Sequence, residues 1–232
     1  MRLALIADVH ANTYALDAVL EDLARRDADV TVNLGDAVWG SVDPAGTVER
    51  LRPFPGVRGN HDEATDVGHP DLRLPAEAQA WLAALPLTLT LGEVLCCHGT
   101  PTSNTIHLML TVTPQGARPT TVPEIRERLG EVTSPVVVCA HTHLPRVVQL
   151  PGGPLVVNPG SVGLPAYTDA APHPYVAENF SPHARYAVLT RTRAGWQVDH
   201  HAVAYDHERA ARESEARGRP DRAHWIRTGL AQ

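Results

Sequence analysis

Five short polar clusters carry most of the chemistry this chain can offer: Asp8-Val9-His10, Gly35-Asp36, Gly59-Asn60-His61-Asp62, His98-Gly99 and Ala140-His141-Thr142-His143. Taken singly, each has a plain explanation. A D-x-H is an ordinary capped strand end, a G-D is an ordinary turn, and an N-H-D run can form an Asx-turn. An H-x-H on a strand puts both imidazoles on one face, which suits a metal without demanding one. As a series they say more. Asp8, His10, Asp36, Asn60, His98, His141 and His143 are oxygen and nitrogen donors of intermediate hardness, with no thiolate among them. That set suits manganese first, and iron, zinc, nickel or cobalt as alternatives, and it disfavours a Cys-rich structural zinc site. One ion takes roughly four to six donors, so this set implies two divalent ions sharing a bridging ligand.

Such donors must be delivered to one place, and the surrounding apolar runs show how. Leu3–Ala7, Val30–Leu34, Gly56–Arg58, Val94–Cys97 and Val136–Ala140 each read as a short buried strand, and each ends at one of the clusters. A strand buried on both faces has no place for charge along its length, but its end can carry it. From Tyr14 to Arg26 the apolar residues Leu16, Val19, Leu20 and Leu23 fall on one helical face. Pro44 opens a second helix that runs to about Leu51. Alternating strands and helices predict a parallel sheet with right-handed crossovers, and open α/β sheets bind ligands at the carboxyl ends of their strands. Further along, Leu74–Leu85 and Val122–Leu129 read as helices. Leu87–Leu91 with Val94–Cys97, and Arg146–Leu150 with Leu155–Val157, read as hairpins. Arg185–Arg191 and Gln197–Tyr205 form a last strand pair, and Asp206–Gly218 and Pro220–Leu230 are helical. The segment Asp169–His183 is Pro-rich and unpatterned, an insertion or lid loop within a single domain spanning residues 1–232.

Bulk properties exclude some partners. The chain has 232 residues, a net charge of −6, 43% hydrophobic and 20% charged residues. This balance offers no electrostatic lure for nucleic acid or an anionic membrane surface. No apolar run approaches ~20 residues, so no membrane span is expected. The apolar start is too short for a signal peptide, and a cytoplasmic location is the expectation. The three cysteines, Cys96, Cys97 and Cys139, lie in or beside apolar runs and read as reduced, buried thiols. Homo-oligomer formation is open.

Taken in order, D-x-H, G-D, G-N-H-D, H-G and A-H-T-H, followed by Asn158-Pro159-Gly160-Ser161, resemble the motif series of the calcineurin-like metallophosphoesterases, and within them the small bacterial and archaeal phosphodiesterases. The resemblance covers Asp8 to Ser161. It implies an α/β fold, a four-layer α/β/β/α sandwich of two mixed sheets flanked by helices. It implies that Asp8, His10 and His143 hold one metal, that Asn60, His98 and His141 hold the other, and that Asp36 bridges them. His61 then faces the substrate as a catalytic group and not a ligand, and Asn60 also lies at the substrate. Two divalent ions lower the pKa of water toward neutrality, which supplies a bridging hydroxide for in-line attack on a phosphoester or nucleotide substrate, while His61 serves the leaving oxygen. Asn12 follows the first cluster and either reaches a phosphate oxygen or caps the next helix. Tyr167, His173 and Tyr175 are further candidates for the pocket wall.

Two departures from the family narrow the reading. Gly35-Asp36 continues as Ala37-Val38-Trp39-Gly40, without the Asp and Arg that follow in the protein phosphatases, and Leu164-Pro165-Ala166-Tyr167 lacks the Arg common in related small members. The alternatives to a phosphodiesterase are a dinucleoside polyphosphatase, a phosphomonoesterase or phosphoprotein phosphatase on the same site, or a metal-binding interaction scaffold of the kind the retromer subunit of this superfamily represents. A scaffold would tolerate replaced ligands, whereas every ligand and His61 is present here.

Overall fold

The computed structural model describes residues 1–62 and 73–232. Strand β1 (Arg2–Ile6) shows how the layers arise. Leu3 and Leu5, with Ala7 just beyond the strand, point into one apolar cluster, and Ala4 and Ile6 point into another on the opposite face, so past Arg2 the strand is apolar and buried on both sides. It pairs in parallel with β2 (Val30–Asn33) and antiparallel with β12 (Ala184–Thr192), which pairs with β13 (Gly195–Val203). The first sheet therefore has the order β13-β12-β1-β2.

The second sheet has the order β3 (Thr88–Leu91), β4 (Val94–Cys97), β7 (Val136–Val138), β9 (Leu155–Asn158), β8 (Arg146–Gln149). Its three inner strands are parallel, with Val138 opposite Cys96 on one side and Val157 on the other, and its two outer strands are antiparallel. Between the sheets lies a core of Leu3, Leu5, Val32, Leu34, Cys96, Val136, Val138 and Leu189. Two short ribbons, β5 (Leu110–Thr113) with β6 (Gly116–Pro119) and β10 (Ala166–Asp169) with β11 (Tyr175–Glu178), stand outside both sheets.

Helices complete the sandwich. α1 (Thr13–Leu23), α2 (Pro44–Leu51) and α3 (Ala76–Ala84) cover the outer face of the first sheet through Leu16, Val19, Val48, Leu51 and Leu82. α4 (Val122–Leu129) covers the second through Ile125 and Leu129, against Val137, Cys139 and Val156. The expected four layers are present. The three thiols are buried and unbridged in these cores. α5 (His207–Ala216) and α6 (Pro220–Thr228) pack through Ala210, Ala211, Ala223 and Ile226, and Trp225 of α6 packs on Leu164 and Ala166 beside β10. Among the described residues no helix is long and apolar enough to cross a membrane.

Three elements differ from the sequence expectation. Gly56–Arg58 makes only a single parallel bridge, Asn33 to Gly56, because the chain turns away into the next cluster. The unpatterned stretch Asp169–His183 contains β11 and begins inside β10, so much of it is a paired ribbon. Its alternation was hidden because Tyr167, Asp169 and Tyr175 face a cavity, where polar and aromatic side chains stand in place of aliphatic ones. Finally, β5 and β6 are four-residue strands outside the sequence expectation: Leu110 and Val112 alternate with Thr111 and Thr113, a run too short to stand out, and Gly116–Pro119 has no apolar period.

Candidate metal centre

The parallel strands bring their carboxyl ends to one rim. Asp8 lies just past β1, Asp36 past β2, His98 directly after β4, and His141 and His143 past β7. The backbone there is unusual. Asp8 (φ 52°), His10 (48°), Asp36 (56°), His141 (68°) and His143 (61°) all occupy the left-handed region. Each such residue costs on the order of 1–3 kcal/mol, and strain of that kind persists where the surroundings over-determine it, typically at functional sites. Close packing of the loops is one cause. A Cβ on Gly35 (φ 93°) would sit 2.5 Å from the Gly59 nitrogen, so the G-D and G-N-H-D turns meet backbone to backbone.

Two groups of donors form. Asp8, His10 and His143 make one, and Asp36, His98 and His141 make the other; within each group the ligand atoms lie within 4.8 Å of one another. Asn60 joins the second, its Oδ1 lying 3.1 Å from His98 Nε2. Each group therefore draws donors from both sheets. Asp36 spans them: its Oδ2 is 3.7 Å from His10 Nε2 and 3.5 Å from His98 Nε2, while its Oδ1 accepts the His61 N–H at 3.0 Å.

The hydrogen bonds orient the rings. Nδ1 of His98, His143 and His10 lies 2.8, 2.7 and 3.3 Å from the carbonyls of Leu34, Leu164 and Trp39. A carbonyl accepts only, so each Nδ1 carries the proton and each Nε2 faces the rim. His141 is turned the other way, with Nε2 toward the Thr105 carbonyl at 3.1 Å and Nδ1 left for the group. His10 and His143 present their Nε2 atoms to each other at 3.1 Å. Burial holds both imidazoles well below the usual histidine range, His143 at about 3, so in the neutral protein two lone pairs confront one another. Beside them Asp8 is 0% exposed, and neither of its carboxylate oxygens has a hydrogen-bond partner. Burial, reinforced by Asp36, raises its pKa well above the ordinary value. Facing lone pairs next to an orphaned buried carboxylate fit a divalent cation, which satisfies all three at once. In the second group burial lowers His98, but the Asp36 carboxylate overrides it and raises the pKa to about 9.

Sequence reasoning missed the residues that hold these ligands. Asp62 is buried and its carboxylate accepts the backbone N–H groups of Asp36, Ala37 and Gly59 at 2.8, 2.9 and 3.0 Å. Asn158 donates to the Ala140 carbonyl at 2.8 Å and to Thr142 Oγ1 at 3.0 Å, fixing the turn that presents His141 and His143. Ser161 Oγ donates to the Asp8 carbonyl at 2.8 Å. The quoted motifs G-N-H-D and N-P-G-S contain all three, but nothing in their residue types says which backbone amides they reach.

Above the rim is a cavity of about 300 Å³. Asp36, Asn60, His61 and His141 form its floor, and Trp39, Tyr167, Tyr175 and Trp225 form aromatic walls with Asp169 beside them. His61 and Asn60 thus lie where a substrate would. Tyr167 and Tyr175 line the cavity, whereas His173 is not among its lining residues. Asn12 is a correction: it does not reach the cavity. Its Oδ1 caps α1 by accepting the Ala15 N–H at 3.2 Å, its Nδ2 donates to the Gly163 carbonyl at 2.9 Å, and it is 1% exposed. Its short amide is used up in joining two loops, which leaves nothing for a phosphate.

The description "Calcineurin-like phosphoesterase superfamily domain" matches residues 1–178. The chain belongs to the calcineurin-like phosphoesterase superfamily. A metallophosphoesterase from Sphaerobacter thermophilus is 25% identical, with a TM-score of 0.76, covering 99% of this chain and 100% of its own. A hypothetical protein from Pyrococcus horikoshii OT3 is 17% identical with a TM-score of 0.70, covering 100% and 99%. Yfce, a phosphoesterase from E. coli, is 22% identical with a TM-score of 0.50, covering 88% and 100%. No curated protein matches the chain.

Proposed function

We propose that this protein is a metal-dependent phosphoesterase that hydrolyses phosphodiesters, with nucleotide-type diesters as the fitting class. The observation that carries the reading is the position of Asp36 Oδ2 between the two donor groups, 3.7 Å from His10 and 3.5 Å from His98. In this reading Asp8, His10 and His143 hold one divalent ion, Asn60, His98 and His141 hold a second, and Asp36 is shared, with manganese the first choice. Bound divalent ions supply Lewis-acid polarisation of phosphate oxygens and acidify water toward neutrality. The remaining chemistry belongs to the chain. His61 lines the cavity with its backbone tied to Asp36. It is placed to protonate a departing oxygen, assistance worth about 10²–10⁴-fold. The aromatic walls accept a planar ring. Among the described residues lining the cavity none is Arg or Lys, and Asp169 adds a carboxylate, so a diester monoanion is favoured over a monoester dianion.

The test is turnover of bis-p-nitrophenyl phosphate, p-nitrophenyl phosphate and diadenosine tetraphosphate, each with Mn²⁺ and each with chelator. Faster hydrolysis of the diester than of the monoester, abolished by chelator, is expected. Activity that survives thorough metal removal overturns the reading, and preferred cleavage of diadenosine tetraphosphate reassigns the site to anhydrides.

A further inference from the structure

His61 does not stand alone in the cavity wall. Its imidazole lies flat on the indole of Trp39, with ring centroids 4.1 Å apart and planes inclined by 12°. The Arg222 guanidinium carbon also lies 4.1 Å from the Trp39 ring. Two groups at that distance cannot share one face of a ring, so imidazole, indole and guanidinium form a three-layer stack. Arg222 is 1% exposed, although arginine is rarely buried without fixed partners. Its Nη1 donates to the Trp39 carbonyl at 2.9 Å, the same carbonyl that His10 Nδ1 approaches at 3.3 Å. Trp39 itself has a positive φ of 67°, a conformation a bulky residue keeps only when neighbours impose it. The one carbonyl and the one indole of Trp39 thus face a ligand histidine and the cavity histidine, and Arg222 holds both.

Arg222 comes from α6, beyond the residues 1–178 that match the family. We propose that Arg222, acting through Trp39, is a positioning residue for His61, so that the C-terminal helix α6 sets the orientation in which His61 meets the leaving group. The inference rests on the reading of His61 given above. A guanidinium stacked on an indole contributes more when desolvated, as here, than at an exposed site. Stacking its plane on the indole while Nη1 donates to the Trp39 carbonyl is a combination that lysine cannot reproduce.

The first test needs no metal or substrate. In the metal-free protein, ring currents from Trp39 shift the His61 ring protons upfield, and these signals are identified by their loss in His61→Ala. In Arg222→Met they are expected to move toward the positions of free imidazole. Unchanged His61 signals in Arg222→Met overturn the proposal whatever happens to activity. The second test is kinetic, with Mn²⁺, on bis-p-nitrophenyl phosphate and on diphenyl phosphate, whose leaving group is poorer. Arg222→Met should lower kcat by up to about 10²-fold on diphenyl phosphate, less on the nitrophenyl ester, with KM little changed and metal content retained. Combined with His61→Ala it should cost little more than His61→Ala alone. Equal losses on both esters, or losses that multiply, would show a merely structural arginine. If Arg222→Met does not fold, Arg222→Lys, which keeps the buried charge but not the planar group stacked on the indole, carries the same pair of measurements. A wild type inactive on both esters removes the functional reading, and the spectrum still decides the stack.

Discussion

Asp62 holds Asp36 in place: one carboxylate oxygen accepts the Asp36 N–H at 2.8 Å and the other accepts the Ala37 N–H at 2.9 Å. This ties the residue shared by the two donor groups to the cluster that supplies Asn60 and His61. Removing the carboxylate leaves buried backbone donors without partners, at about 1–3 kcal/mol each. Asp62→Ala is therefore expected to lose at least about 3 kcal/mol in urea unfolding of the metal-free protein, and to bind Mn²⁺ about 10–100-fold more weakly. Asp62→Asn, which keeps one acceptor oxygen, should fall between the two. Unchanged manganese affinity in Asp62→Ala would separate this contact from the site.

Asp8 makes a prediction of opposite sign for stability. Its folded pKa is raised above the ordinary 3.8, chiefly by burial. Below the unfolded value the carboxyl is protonated in both states, and the stability it contributes is fully present. That stability is lost as the pH rises through the raised folded value. Asp8→Asn removes the penalty and keeps a residue that accepts a left-handed backbone. The metal-free variant should melt higher than wild type near pH 8, and the difference should close below about pH 4. The same substitution should abolish the rise in melting temperature on adding Mn²⁺. Differential scanning calorimetry across pH, with and without the metal, decides both points. A metal-free variant less stable than wild type at pH 8 would refute the unpaired-carboxylate account.

His98 couples the second group to protons. Against the effect of burial, Asp36 raises its pKa to about 9, so metal-free protein carries the proton at pH 7. A cation coordinated by Nε2 displaces it. Manganese binding at pH 7 should release about one proton, and affinity should rise with pH until it levels near pH 9. Calorimetric titrations in Pipes and in Tris, whose ionisation enthalpies differ, give the number directly. Identical binding enthalpies in the two buffers would exclude proton release.

Asp169 tests the charge argument for substrate choice. Asp169→Asn removes a negative charge from the cavity lining without changing its shape. The ratio of monoester to diester turnover should rise about three- to tenfold, the scale of one Coulomb interaction partly screened by water. An unchanged ratio would assign the preference to another feature.

The candidate donors were legible because most are polar residues closing an apolar strand, a position where a buried sheet has few other uses for Asp or His. The strands by themselves predict a parallel sheet, and the division into two mixed sheets followed from the family resemblance. The supporting residues were not legible, for a consistent reason. Asp62, Asn158 and Ser161 act on backbone groups, and a backbone amide has no letter in the sequence. Trp39 and Arg222 are 183 residues apart and meet only through the packing of α6. The β10–β11 ribbon was hidden because its patterned face looks into a cavity and not into a core. Asn12 lay beside the right cluster but is drawn the other way, to the start of α1 and the Gly163 carbonyl.

One feature of the rim bears on the whole molecule. Asp8 and His10 end a strand of the first sheet while His143 ends one of the second, and Asp36 meets His98 and His141 in the same crosswise manner. A cation seated in either group is a fastener across the seam of the sandwich, added to the apolar contact between the halves and to the few hydrogen bonds that cross there, such as His98 Nδ1 with the Leu34 carbonyl. Stripping it should loosen that margin before the interior. Faster amide hydrogen exchange at the ends of β1, β4 and β7 than in their middles would be the mark of a protein whose cargo is also a rivet.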